Sequence, residues 1–234
     1  MPPLRANPDG TLDLSRFIPT ASSTAMCGRY SLTSRLDALL PRLRGPLPEG
    51  LDRHYAPRPL IRPGEPLLLQ RLEQGRPQVD LALWGLLPGW VREPRGAARP
   101  INARSETVAE TPSFRAAWRH RRCLIPADAF FEKGWCIARE DGAPFWLAGL
   151  WERWLGPSGE QLDSCCVLTT QPNALIAPIH GRMPVVIPDG AEALWLEAAD
   201  GAGRRRLLPL LQPWDPTGWQ RLPLDQPQLA LPMP

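Results

Sequence analysis

Apolar residues along this chain fall into short runs punctuated by proline and glycine. Thirty prolines and 19 glycines are spread through 234 residues. Each internal proline removes a backbone donor and ends or kinks a helix, so long helices are not expected. Runs rich in β-branched, aromatic and leucine side chains predict strands over Cys27–Leu32, Leu67–Leu72, Val79–Leu86, Leu124–Glu132, Phe145–Trp151, Cys165–Thr170 and Val185–Ile187. Helical spacing is rarer. Ser34 is placed to cap a segment through Leu43, with Leu36, Leu39, Leu40 and Leu43 on one face. Shorter helices are predicted over Phe114–His120, Ala174–His180 and Ala191–Ala198. No internal repeat is present. The pattern predicts a single α+β domain dominated by a curved antiparallel β-sheet or barrel with short helices.

Composition changes this picture at the ends. Residues 1–26 carry Pro2, Pro3, Pro8, Gly10 and Pro19 with a Thr/Ser/Ala run, and no apolar stretch suits a signal peptide or a membrane span. They read as a leader, disordered or not translated, with Met26 a candidate start and residues 27–234 the domain. A Pro/Leu/Gln-rich tail follows Pro213. The five cysteines (Cys27, Cys123, Cys136, Cys165, Cys166) are odd in number and lack metal-ligand spacing, so neither a disulfide framework nor a metal is expected. A reducing cytoplasm and no membrane association fit best.

The net charge of +3 is small, but it is unevenly placed. Eight arginines (Arg92, Arg95, Arg99, Arg104, Arg115, Arg119, Arg121, Arg122) face only Glu93, Glu106 and Glu110 between positions 92 and 122, which leaves that window at +5 and the remainder at −2. A phosphate-contacting face can be built there. Against it, 26 of the 27 basic residues are arginine in a chain also rich in Ala and Pro, a pattern that GC-biased coding also produces.

Cys27 directly follows an internal methionine. With translation starting at Met26, or with the preceding segment removed, Cys27 carries a free α-amine beside its thiol. Together these groups capture aldehydes: the amine condenses with the carbonyl to an imine, releasing water, and the thiol adds to the imine carbon to close a thiazolidine. The ring closure is intramolecular and gains the effective concentration of a tethered nucleophile. The amine, with a pKa of about 7.7–8, is partly unprotonated near neutral pH. Taken alone, a cysteine is otherwise a small buried hydrophobe.

Three more segments set polar residues between apolar flanks: Ile101-Asn102-Ala103-Arg104-Ser105-Glu106-Thr107, Phe130-Phe131-Glu132, and Ile179-His180-Gly181-Arg182-Met183-Pro184. With Met26-Cys27-Gly28-Arg29-Tyr30, Trp84-Gly85-Leu86-Leu87-Pro88-Gly89-Trp90, Arg122-Cys123-Leu124-Ile125-Pro126 and Ala148-Gly149-Leu150-Trp151, they resemble, in order, the SOS-response-associated peptidase (SRAP) family. The resemblance runs from Cys27 to about Pro188. It implies a protein that binds single-stranded DNA and attaches itself covalently to abasic sites, whose open-chain sugar is an aldehyde. By position, the resemblance makes Cys27 the cross-linking residue, Glu132 an acid/base, His180 a second proton carrier and Asn102 the group orienting sugar or amine. Arg29, Arg104 and Arg182 match positions suited to gripping phosphates bidentately, with internal pairing to Glu106 or other carboxylates as the alternative. Trp84 and Trp90 stack on bases or wall off the site, with a place in the core as the alternative. No cofactor is implied. The expected partner is single-stranded DNA containing abasic sites, with replication-fork proteins as further candidates, for a monomer near the bacterial nucleoid.

The chain also departs from the family's pattern. Tyr55-Ala56-Pro57 lacks the Asn that ordinarily follows the Tyr, Lys133-Gly134 separate Glu132 from Trp135, and Gly181 replaces a polar residue. The closing segment is reduced to Leu222-Pro223-Leu224, so a displaced aromatic wall, a looser hold on His180 and a partly missing site wall are expected. Two rival activities stay open: a cysteine-dependent autopeptidase in which Cys27 attacks the Met26 carbonyl and releases the leader, and a noncatalytic single-strand-binding module.

Overall fold

The computed structural model describes residues 28–198 and 200–224. The expected leader, the strand start at Cys27 and the end of the tail lie outside them. Strands are β1 (Tyr30–Leu32), β2 (Arg58–Ile61), β3 (Pro66–Glu73), β4 (Arg76–Trp84), β5 (Asn102–Arg104), β6 (Arg122–Ala127), β7 (Ala129–Glu132), β8 (Trp135–Arg139), β9 (Phe145–Leu155), β10 (Gln161–Thr170), β11 (Met183–Pro184), β12 (Val186–Ile187) and β13 (Trp219–Pro223). Helices are α1 (Leu36–Leu39), α2 (Leu51–His54), α3 (Arg115–His120), α4 (Glu192–Glu197) and α5 (Gly201–Arg205).

Strands β3, β6, β9, β10 and β4 pair in a ring and close a five-stranded barrel. All its seams are antiparallel except β4–β10, which is parallel. Side chains alternate across the barrel wall as the two-residue period of a strand demands. Cys123, Ile125, Leu147, Trp151, Cys165 and Val167 belong to one apolar cluster, and Leu124, Trp146, Ala148, Leu150, Cys166 and Leu168 to a second, which includes Trp118 of α3 and Trp195 of α4. Gly149 makes room inside the first cluster, since a Cβ there would lie 2.6 Å from the Cys123 thiol and 2.9 Å from Cδ1 of Ile125. A second sheet, β13-β8-β7-β1-β2, is antiparallel throughout and contributes Tyr30, Phe130 and Ile137 to the first cluster.

Several elements differ from the sequence pattern. The run Leu124–Glu132 is two strands in different sheets, broken at Asp128. The carboxylate of Asp128 accepts the Ser34 N–H and hydroxyl, each at 2.7 Å, and the Thr33 N–H. Ser34 is therefore engaged with Asp128, and α1 begins at Leu36 without a side-chain cap. It lasts one turn before Pro41 tightens it into a 3-10 turn over Leu40–Arg42, which leaves Leu40 exposed. Ala174–His180 forms successive turns instead of a helix. The Asn173 side chain takes the Leu175 and Ile176 N–H groups, and Pro178 has no donor to continue the ladder. The shortened closing segment ends a strand, as β13 pairs with β8 along its length and Trp219 stacks on Trp214 at 4.2 Å between centroids.

Candidate functional site

The chain enters β1 beside the end of β7: the Arg29 carbonyl accepts the Phe131 N–H at 3.0 Å, and Arg29 itself is exposed. Cys27, two residues earlier, lies outside the described residues. Glu132 ends β7, half-buried, and pairs across the hairpin with Trp135. Lys133 and Gly134 form the whole turn with φ of 44° and 83°, the left-handed pair a two-residue hairpin requires. The two extra residues thus fold Trp135 back opposite Glu132. Arg221 of β13 lies 4.5 Å over the Trp135 ring and donates to the Leu175 carbonyl at 3.1 Å, tying this hairpin to the segment that leads to His180.

Asn102 and Arg104 sit two apart on β5, so they share one face while Ala103 is buried behind them. β5 runs parallel to β10, with Asn102 opposite Val167 and Arg104 opposite Thr169. Asn102 is half-buried and Arg104 exposed. Neither a propensity nor a hydrophobic period marks this strand; its pairing with β10 creates it.

Half-buried His180 closes the turn after Ile176, and its Nδ1 accepts the Arg182 main-chain N–H at 3.0 Å. A neutral imidazole accepting at Nδ1 carries its proton on Nε2. The Arg182 main chain thus supplies a hold on His180, and a Cβ at position 181 would meet nothing within 4 Å.

Thr169 joins the two segments. Its carbonyl accepts both the Ser105 N–H at 2.9 Å and Arg182 Nη2 at 2.7 Å. Arg182 also spans Glu106, with Nη1 to Oε1 at 2.5 Å and Nη2 to Oε2 at 2.7 Å. The bidentate face expected for a phosphate is therefore occupied by a carboxylate. The hydrogen bond from Arg182 is the main cause that holds the Glu106 carboxyl below its usual range.

The two tryptophans separate. Trp84 is 1 % exposed, donates from Nε1 to the Ile101 carbonyl at 3.0 Å and stands edge-on to Tyr30, so it is a core residue with no face free for a base. Trp90 is 68 % exposed, at an open groove of about 970 Å3 lined also by Pro88, Val91, Arg92, Arg99 and Phe114.

The basic window divides in the same way. Arg121 pairs with Glu152 at 2.7 Å. Arg122 is buried and caps the ends of α3 and α4 through the Trp118, Trp195 and Ala198 carbonyls at 2.5–2.7 Å. Burial, with Arg204 nearby, pushes its pKa down to about 10. Arg92, Arg95, Arg104, Arg115 and Arg119 are exposed, and their guanidinium groups form no ion pair among the described residues. These arginines look alike in sequence, and only tertiary partners tell them apart. Glu106 is the internal partner expected as the alternative to phosphate, and it is Arg182 that takes it; nothing in the sequence marks the Thr169 carbonyl as the shared acceptor.

No helix among the described residues is long and apolar enough to cross a membrane. Residues 26–226 match the family model described as SOS response associated peptidase (SRAP). The chain is 36% identical over 203 residues to the abasic site processing protein YoqW of Bacillus subtilis (strain 168), covering 81% of this chain and 88% of that one. It is 29% identical over 189 residues to the abasic site processing protein YedK of Escherichia coli (strain K12), covering 73% and 79% respectively. A solved structure of a Bacteroides thetaiotaomicron protein superimposes with a TM-score of 0.73 at 25% identity, covering 84% of this chain and 91% of that one. The chain belongs to the SOS response associated peptidase family.

Proposed function

We propose that this protein processes abasic sites in DNA by forming a thiazolidine cross-link through Cys27 at the N-terminus, shielding the lesion in single-stranded DNA. One observation carries the reading. In a family whose curated relatives are abasic site processing proteins, Thr169 draws the Asn102–Arg104 strand and the His180–Arg182 turn together. The family match also opens at Met26, one residue before Cys27.

The chemistry divides into proton transfers that the candidate residues suit. Opening the sugar requires a proton on the ring oxygen and exposes the aldehyde. The Cys27 amine adds to that carbonyl, the carbinolamine loses water after protonation of its hydroxyl, and the thiol adds to the imine carbon as its proton passes to nitrogen. One water leaves in all. On ring opening the C1 hydroxyl loses its proton as the ring oxygen gains one, and His180, with its proton on Nε2, can hydrogen-bond that oxygen; Glu132 can accept from the attacking amine and return the proton to the departing hydroxyl. Asn102 offers both a donor and an acceptor to the sugar or the amine. The exposed Arg29 and Arg104 supply charge for the strand's phosphates, and Trp90 a face for a base.

The deciding experiment starts the protein at Met26, confirms a mature N-terminal Cys27 by mass spectrometry, and incubates it with an abasic single-stranded oligonucleotide before denaturing electrophoresis. A stable adduct is expected, and Cys27→Ser should abolish it. An intact chain that retains residues 1–26 yet forms the same stable adduct would refute capture by the amine.

A further inference from the structure

We infer that Glu106 is a positioning residue that fixes the proton-bearing nitrogen of His180 through Arg182. The inference rests on the abasic-site reading only for its kinetic consequence. Four contacts form the path. Glu106 takes both Nη groups of Arg182, the Thr169 carbonyl takes Nη2, and the Arg182 N–H reaches His180 Nδ1 at 3.0 Å.

Each end of this bridge is anchored to the same atom. The Thr169 carbonyl also accepts the Ser105 N–H, so the residue before Glu106 and the guanidinium that Glu106 holds share one oxygen of β10. The Arg182 side chain is 16% exposed, and its buried Nε has no hydrogen-bond partner. Glu106 is thus the anion that balances a largely buried cation. Without it the guanidinium keeps only the acceptors of Thr169, and an uncompensated charge in that position turns toward water. The Arg182 main chain moves with it, and Nδ1 of His180 loses the donor that keeps its proton on Nε2. Gly181 gives no side-chain restraint in between, since a side chain there would face open space. The effect of Glu106 on His180 is therefore geometric, through a bridge that spans 76 residues of sequence.

The inference predicts a change in a property of His180 itself, readable without DNA. Long-range proton–nitrogen NMR on the nitrogen-labelled protein resolves the tautomer of each of the three histidines, with His180 assigned by its loss in His180→Ala. Above the pH at which the imidazole loses its second proton, the parent should show the Nε2–H tautomer of His180, and Glu106→Gln should show a mixture of tautomers. Adduct formation with an abasic oligonucleotide should slow about 10- to 100-fold, the scale set by a displaced catalytic group, while noncovalent binding to an undamaged strand persists. Glu106→Asp, which keeps the anion, should recover part of both signals. Should Glu106→Gln fail to fold, Arg182→Lys keeps the cation but not the planar fork and should give the same mixture. A parental tautomer together with a parental rate would overturn the inference, and so would a lowered melting temperature with the tautomer unchanged. A parent that forms no adduct would reject the abasic-site reading instead, and the tautomer alone would then decide the role of Glu106.

Discussion

Tyr30 stands edge-on to Trp84, with ring centroids 5.5 Å apart and planes at 69°. This contact carries the second sheet onto the barrel, because Tyr30 belongs to β1 and Trp84 ends β4. On its far side Trp84 donates to the Ile101 carbonyl, one residue before Asn102. Strand β1 and the strand β5 that carries the candidate carboxamide are thus spaced by one buried indole.

Trp84→Ala should therefore lower stability by about 3–5 kcal/mol, the usual cost of removing a buried large aromatic. Trp84→Phe, which keeps an edge contact and leaves the Ile101 carbonyl with the Val167 N–H as its remaining donor, should cost less, about 0.5–1.5 kcal/mol for the lost hydrogen bond. Trp90→Ala should leave stability within about 0.5 kcal/mol and weaken single-strand binding by about 1–3 kcal/mol if a base stacks there. Urea denaturation alongside equilibrium binding separates the two. An unstable Trp90→Ala, or a stable Trp84→Ala with weakened binding, would reverse these assignments.

The long barrel strands were legible because their signals are local. Apolar runs, several bounded by Pro or Gly, mark β3, β4, β9 and β10, and α3 shows its helical spacing; Asp128 illustrates what is not local. Nothing near it in sequence shows that its carboxylate folds back onto Thr33 and Ser34, some 94 residues away, and divides one apolar run between two sheets. The parallel pairings of β10 with β4 and β5 have the same origin, since neither Ser164 nor Val167 carries a mark of its neighbour. At the site, the polar segments stood out as residue types, but the state of each arginine did not. Arg104 and Arg182 look alike in sequence, and only the fold puts Glu106 against one of them.

The buried thiols give the protein an alkaline limit. Burial is the main cause that pushes the Cys123, Cys165 and Cys166 thiols up. In the unfolded chain they ionise near pH 8.5, so above that pH the unfolded state binds fewer protons than the folded state. The stability they contribute is complete below about pH 8.5 and falls as pH rises, by up to about 1.4 kcal/mol per pH unit for each thiol. Cys166→Ala should remove one such increment. Denaturation midpoints under reducing conditions between pH 8 and 10 should fall less steeply for the variant, and parallel slopes would contradict the buried, protonated state of Cys166.

Arg104 and Arg122 offer the sharpest contrast in the basic window. Arg104 is exposed on the face it shares with Asn102, without an ion pair among the described residues, whereas Arg122 is buried against the carbonyls that end α3 and α4. If single-stranded DNA lies along the β5 face, each phosphate contact adds about −0.7 to the log–log dependence of affinity on salt. Arg104→Ala should flatten that slope by about 0.7 and leave the melting temperature nearly unchanged. Arg122→Met should leave the slope alone, because its guanidinium never meets solvent phosphates. Several buried carbonyls would lose their donor, each at about 1–3 kcal/mol, so its melting temperature should fall markedly. A salt titration and a thermal melt on both variants check the pair. An unchanged slope in Arg104→Ala with a reduced melting temperature would place Arg104 with the structural arginines and move the DNA path off β5.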